Sequence, residues 1–565
     1  MHFLGFAQHL FRFRKANAFY LLSAFSAYIV VISFLILIAT LVIRAFPVIT
    51  TPSYELKAEP LVVMDQKHID AKVTNTNRKT GVTLKYTAGQ LELFDADTFV
   101  SATPFIEITE IFPSNIPYVF YLVAAEDSEP QQVFRVHWQA NKPLQSLQLF
   151  DLRYEQALVA VIESDIHNIV HLLLHDNGLT ELVMLNLVTA EELTRIELEG
   201  VGALHKADRD AIHLRIRDEI TTVAVLNLEA SITFKELFLP HAFPGYDSAT
   251  MTWQTNPAQD YQLRKYNIMP LLIGSLKAAA IALVVAIPIS LGAAVYVGFL
   301  AKTSARIWLK PMIEVLESIP AVIIGLIAAT ILFNVAAGIL WSVVSVIVFM
   351  PIYMTVCAML YQIGKHSKFE HIFIRFELLI VVLSLLCFLW LSSVFGTWFS
   401  SLDGVESVTP SNQIMLVVAL GLGVGIAPTI FSLAEDAING VPNAMIKASY
   451  ALGATRVQTL LQIVLFTAFP GLMAAVMLGF GRAFGETMIV LMVSGNTPIA
   501  DWDIFTGLRA LTANLVIEMP EANSQNSHLV VLFFTALMLF LFTFVLNCFA
   551  EWLRQLNQQA RGGQR

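Results

Sequence analysis

Charge is what this chain has least of. Only 14% of its 565 residues are Asp, Glu, Lys or Arg, against 56% hydrophobic, and the mean hydropathy is +0.65. Soluble domains carry roughly 25% charged residues, so a water-soluble globular protein is excluded for the chain as a whole. Cysteine is scarcer still. The three, Cys357, Cys387 and Cys548, all lie inside apolar runs, so no disulfide framework is implied. No G-x-x-x-x-G-K-[ST] loop occurs, which removes the usual cradle for nucleotide phosphates. No basic, aromatic-rich face exists either, and nucleic acid is excluded as a partner.

What the chain has instead is long apolar runs. They fall at about 21–43, 271–300, 318–337, 341–362, 378–395, 414–433, 471–494 and 530–549. Lipid offers the backbone no hydrogen-bond partner, so such runs read as membrane helices. The fold class expected is a mainly α-helical polytopic membrane protein with about eight transmembrane helices. Arg12, Arg14 and Lys15 precede the first run, which is too long for the apolar part of a cleaved signal peptide and has no small-residue cleavage site after it. Later basic residues alternate between loops: Lys302, Arg306 and Lys310, then Lys365, Lys368 and Arg375, then Lys447 and Arg456, then Arg554, Arg561 and Arg565. The positive-inside rule then places both termini in the cytoplasm of a bacterial inner-membrane protein, with residues 45–268 outside. The domain division expected is 1–44 for the amino end and first span, 45–268 for the external block, and 269–565 for the membrane domain.

The external block is acidic. Residues 51–267 carry 30 acidic and 17 basic side chains, a net of −13 against −9 for the whole chain. Short apolar or alternating segments recur at 133–138, 147–152, 158–162, 169–174, 182–187 and 222–228, and predict a β-rich domain. Leu149-Phe150-Asp151-Leu152 returns as Met184-Leu185-Asn186-Leu187 and as Val225-Leu226-Asn227-Leu228, with Leu93-Phe94-Asp95 as an earlier copy. Spacings near 40 suit propeller-like blades, and an ordinary β-sandwich is the alternative. His167, His171 and His175 recur every four residues, but the spacing matches no zinc motif, and no metal site is expected.

Two stretches of the membrane half carry chemistry. The first, at 434–462, contains Glu435, then Gly440-Val441-Pro442, then Lys447-Ala448-Ser449 and Gly453, and leads to Ile463-Val464-Leu465. A short helix, a glycine turn and a second helix of this kind can sit in a partner's groove and transmit its motion. The second is Gly481-Arg482-Ala483-Phe484-Gly485-Glu486-Thr487-Met488. On a helix, Arg482 and Glu486 share a face and can pair, while Gly481 and Gly485 allow another helix close approach. Charges at membrane depth are costly and face a polar pathway or partner. An arginine fork suits an oxyanion, and a purely structural ion pair is the rival reading. Lys277 is expected to snorkel outward, and Glu314 and Glu317 to cap a helix start.

The first stretch resembles the coupling motif of ATP-binding-cassette importer permeases, with Ala448, Gly453, Ile463 and Leu465 in register and Lys447, Ser449 and Phe466 as departures. The second resembles the G-R-A-x-G-E-T-M signature of phosphate importer permeases, and Met488 favours the PstC type over the PstA type. The resemblance covers about residues 260–365 and 412–555. It implies a type I importer permease core that translocates inorganic phosphate, with sulfate or molybdate as alternatives and a membrane sensor as a further one. Arg482 and Glu486 would line the substrate pathway. Glu435, Lys447, Ala448, Gly453 and Ile463 would serve ATPase coupling. The implied partners are a second homologous permease, two ATPase subunits carrying ATP-Mg, an external phosphate-binding protein and membrane lipid. The chain itself is expected to bind no cofactor and to catalyse no reaction. The external block and a hydrophobic hairpin near 341–395 depart from that family's pattern.

Overall fold

The computed structural model describes residues 25–562, apart from 58–73, 77–81, 88, 96–97, 126–129, 139–143, 154–155, 165, 201, 208–210, 217–218, 244–245, 247, 258–261, 333–340, 344, 347–348, 350–351, 354–355, 358–376, 401–409, 504–505 and 523–526. The residues form two compact units, 1–267 with 518–538, and 268–517 with 539–565. The segment 518–538 was not part of the external block read from the sequence. The leading Arg12, Arg14 and Lys15, and Lys365, Lys368, Arg375 and Arg565, lie outside the described residues.

The first unit opens with helix α1 (Phe25–Val48) and then turns to β structure. Four antiparallel sheets of four strands follow one another. Sheet one holds β2 (Thr74–Thr76), β3 (Val82–Thr87), β4 (Gln90–Asp95) and β5 (Thr98–Pro104). Sheet two holds β6 (Glu107–Pro113), β7 (Val119–Ala125), β8 (Gln132–His137) and β9 (Gln145–Asp151). Sheet three holds β10 (Ala157–Glu163), β11 (Ile169–Asp176), β12 (Leu179–Asn186) and β13 (Glu192–Glu199). Sheet four holds β14 (Gly202–Ala207), β15 (Ala211–Ile216) and β16 (Glu219–Leu226). Its fourth strand is β1 (Ser53–Lys57), which pairs with β16 from Ser53 opposite Leu226 to Lys57 opposite Thr222.

The first strands touch in succession, β2 with β6, β6 with β10, and β10 with β14. First strands in contact from sheet to sheet and a terminal strand borrowed from the other end of the domain favour the propeller reading over the sandwich. Three apolar clusters fill the spaces between successive sheets, around Trp138 and Phe120, around Tyr121 and Leu172, and around Leu173 and Met184. Inner strands such as β12 face a neighbouring sheet on both sides, which is why its residues 180–186 are all buried and the sequence runs apolar instead of alternating. Asn177 and Gly178, both at positive φ, supply the tight turn from β11 to β12.

The repeat read from the sequence is partly right. Leu93-Phe94-Asp95, Met184-Leu185-Asn186 and Val225-Leu226-Asn227 close the third strands of sheets one, three and four. Leu149-Phe150-Asp151 instead closes the fourth strand of sheet two, so its likeness is out of phase by one strand. The three histidines go separate ways. His171 meets the Tyr54 hydroxyl at 2.7 Å, His175 the carbonyl of Leu179 at 2.9 Å, and His167 the Ser527 hydroxyl at 2.5 Å. Burial pushes His171 down to about 4, so it is neutral at ordinary pH.

A buried ion pair joins sheets two and three. Arg135 donates to Glu163 through Nε at 3.0 Å and Nη2 at 2.7 Å, and both side chains are nearly inaccessible. Tyr121 and Ser114 donate to the other carboxylate oxygen at 2.7 and 3.1 Å. A second buried carboxylate, Glu236 on α2 (Phe234–Phe238), accepts from Asn186 at 2.9 Å and Asn168 at 3.3 Å. Burial pushes it up to about 7.

The second unit is helical. It contains α3 (Met269–Val295), α4 (Thr303–Glu317), α5 (Ala321–Ile327), α6 (Glu377–Ser400), α7 (Pro410–Asn439), α8 (Asn443–Ala451), α9 (Arg456–Thr459), α10 (Leu465–Gly485) and α11 (Met488–Val493). Among the described residues of the whole chain, five helices are long and apolar enough to cross a membrane: 25–48, 269–300, 414–439, 456–485 and 527–555. The pair 303–317 and 321–332, bent by 87°, makes a sixth if it counts as one span. These are five or six of the about eight helices expected, and part of the remaining runs falls outside the described residues. The run at 318–337 begins at the bend, where Pro320 removes a backbone donor and forces a break. The run at 471–494 is broken at Glu486 and Thr487. Most of the run at 341–362 lies outside the described residues.

Candidate substrate pathway and coupling surface

The helices α3, α7 and α10 pack together and carry the polar positions of the membrane unit. Arg482 lies in the last turn of α10. Its Nη1 donates to Glu317 Oε1 at 2.7 Å and also to the Thr429 hydroxyl, which itself donates to Glu317 Oε1 at 2.9 Å. Three segments therefore meet at one guanidinium: α10, the carboxyl end of α4, and α7 just past Pro428. Among the described residues, Nε and Nη2 make no hydrogen bond. The side chains of Arg482 and Glu317 are 36% and 41% exposed, so this junction is open.

The sequence paired Arg482 with Glu486, and the structure does not. The helix stops at Gly485, and Glu486 is extended at ψ 126°, which takes it off the helical face. Its carbonyl accepts from the Thr512 hydroxyl at 3.1 Å. The two glycines also part company. A Cβ on Gly481 would come within 3.1 Å of Asn547 Oδ1, so a helix does pass close there. A Cβ on Gly485 would meet nothing within 4 Å, so close packing gives no reason for that glycine. Lys277 does not snorkel outward. It is buried and donates to the carbonyls of Asp501 and Asp503 and to Thr506.

The coupling stretch folds as a helical hairpin on the surface. Pro442 caps the start of α8, none of whose residues is buried. The chain reverses at Gly453, whose φ of +85° is accessible to glycine at no steric cost. Thr455 and Gln458 then form a reciprocal capping box that starts α9. The Ser449 and Thr459 hydroxyls, 2.9 Å apart, tie the two arms together. Lys447 and Ala448 are exposed, Ile463 is half-buried, and Leu452 projects with 90% of its surface free.

Glu435 is the exception within this set. It is fully buried, and it accepts from Arg306 at 2.6 Å, from Lys310 at 2.8 Å and from Asn439. A side chain with no exposed surface cannot touch an ATPase, so Glu435 braces α7 against α4 instead. Sequence reasoning missed Thr429, read Arg306 and Lys310 only as loop charges, and expected Glu317 to cap a helix start, whereas it is the last residue of α4. A glutamate directly before the Ser318-Ile319-Pro320 break was the one usable signal for Glu317.

Residues 373–558 match the family described as the inner membrane component of binding-protein-dependent transport systems. The chain is 28% identical over 255 residues to the probable ABC transporter permease protein YqgH of Bacillus subtilis, covering 45% of the chain and 61% of that protein. It is 27% identical over 299 residues to the phosphate transport system permease protein PstC of Haemophilus influenzae, covering 52% and 78%. It is 28% identical over 168 residues to the phosphate transport system permease protein PstA 1 of Mycobacterium tuberculosis, covering 30% and 52%. The chain thus spans about three fifths of YqgH, and the similarity reaches about half of its own length. The chain is thus similar to inner-membrane transport proteins, and among its described residues five helices are long and apolar enough to cross a membrane.

Proposed function

We propose that this permease translocates inorganic phosphate as one subunit of an ATP-driven importer. The observation that carries the reading is the Arg482 junction. One edge of the guanidinium is held by Glu317 and Thr429, and the other edge has no protein partner among the described residues. A planar fork with a free edge in a membrane protein suits the paired, charge-assisted hydrogen bonds of an oxyanion. The phosphate permeases among its relatives support phosphate over sulfate or molybdate. The exposed hairpin of α8, Gly453 and α9 serves as the dock for an ATPase that carries ATP-Mg. A second homologous permease, a second ATPase and an external phosphate-binding protein complete the assembly. The hairpin then faces the cytoplasm, as do both termini, and the β-rich unit lies outside. Glu486, which is half-buried past the end of α10, keeps a place along the pathway.

The test is Arg482→Lys in a strain lacking its own phosphate permease. The substitution keeps the charge and removes the fork, at a loss of roughly 1.5 kcal/mol, or about tenfold in labelled phosphate uptake. Unchanged uptake in the assembled variant overturns the reading. Uptake of sulfate in place of phosphate would move it to another oxyanion.

A further inference from the structure

Glu317 raises a question that the transport reading leaves open. A pathway for an anion gains from a guanidinium, yet here a carboxylate sits on that guanidinium at 2.7 Å. Nothing in the packing demands a charge at this position. Glu317 is 41% exposed, and it is the last residue of α4, immediately before the 87° bend. A helix end of this kind gains nothing from an acidic residue, because the carboxyl terminus of a helix already carries partial negative charge. The carboxylate therefore stands at an electrostatically unfavourable place, and Arg482 is the cation that compensates it.

We infer that Glu317 is the positioning residue and counter-charge of the Arg482 site. The inference rests on the proposal that Arg482 meets phosphate. Two effects follow from the same bond. The carboxylate and Thr429 both engage Nη1, which fixes the plane of the guanidinium and presents Nε and Nη2 as the open edge. The negative charge also offsets the pull of Arg482 on a phosphate anion. A transit site must bind firmly enough to admit its ion and weakly enough to release it. A guanidinium with no counter-charge beside it would hold a divalent oxyanion too long. Arg482 paired with Glu317 binds through geometry while presenting little net charge. The oxyanion docks beside the carboxylate and does not replace it, so the pair is kept through the cycle.

Glu317→Gln separates these effects, because the amide oxygen still accepts from Nη1 and from Thr429 while the charge is lost. Binding of labelled inorganic phosphate is measured on the purified full-length permease in detergent, without a binding protein, and uptake kinetics are measured in cells. An ion pair this exposed is worth a two- to fivefold change, in round terms about threefold. Phosphate should bind about threefold more tightly to the Gln variant, with maximal uptake lowered by a similar factor. Glu317→Asp, which restores the charge, should return affinity and turnover toward the parent values. A purely structural Glu317 would leave both quantities unmoved in the Gln variant, and that result overturns the inference, as does weaker binding. If Arg482→Lys abolishes uptake while Glu317→Gln behaves as the parent, only the role of Glu317 falls. If Arg482→Lys transports normally, the phosphate reading falls and this inference with it.

Discussion

Arg135 in the β unit and Arg482 in the membrane unit each hold a glutamate at 2.7 Å, and they do opposite things. Arg135 uses two nitrogens on Glu163, whose second oxygen is taken by Tyr121 and Ser114, and neither side chain has more than 3% of its surface free. Arg482 uses one nitrogen, and more than a third of each partner is exposed. The first pair has both carboxylate oxygens engaged and braces sheets two and three. The second is open on one edge and can still receive a ligand. The chemistry of the pair is the same in both places, so what separates a brace from a site is how many donors remain uncommitted.

The comparison breaks most readily at Glu163. Glu163→Ala leaves Arg135 charged and buried without its partner, which costs about 3–5 kcal/mol. Denaturant unfolding of the full chain, followed by amide hydrogen exchange in the strands, should show the β unit unfolding at much lower denaturant. A loss under about 1 kcal/mol would mean that the pair is not closed at all. The β unit also offers a titration that an open pair cannot. Burial raises Glu236 from 4.5 to about 7, so the neutral form is favoured in the folded state. Its stabilising contribution is fully present below pH 4.5 and is lost as the pH rises through about 7. Between pH 8 and pH 5 the β unit should gain on the order of 2–3 kcal/mol from this group. Glu236→Gln should flatten the difference, and equal pH profiles for parent and variant would remove Glu236 as its source.

The smallest energetic effect is expected at Gly453. A β-branched residue forced to positive φ costs about 1–2 kcal/mol, too little to unfold a membrane helix pair. It is enough to re-aim α8 relative to α9. Gly453→Val should insert normally and lose ATP hydrolysis stimulated through the docked ATPase. Because a Cβ there meets nothing within 4 Å, any defect comes from the backbone and not from a clash. Normal stimulated hydrolysis would take this turn out of the coupling path.

The legible parts of the molecule were those governed by short-range rules. The apolar segment at 169–174 lies within β11, the one at 182–187 overlaps β12 in all but its last residue, and the glycine turn at Gly453 lies where the coupling pattern placed it. What the sequence could not show was pairing across the chain. Arg482 meets a residue 165 positions away, and Glu435 meets cations 125 and 129 positions away. The Arg482–Glu486 pairing presumed a helix that continued past Gly485, and no local signal marks its end. The fourfold repeat was obscured because sheet two ends its third strand in Val136-His137-Trp138, which has lost the pattern seen at 184–187 and 225–228.

The pairing of β1 with β16 has a consequence for the order of synthesis. β1 leaves the ribosome about 160 residues before its partner, and it is tied within five residues of the end of a membrane helix. At roughly 5–20 residues per second, it waits about 10–30 s as a bare edge. Such an edge invites wrong pairing, and the exposed Glu55 beside Lys57 is the kind of charge that discourages it. Until β16 arrives, sheet four has no outer strand and the β unit cannot close. The amino-terminal strand thus acts as a latch that only a finished domain can fasten.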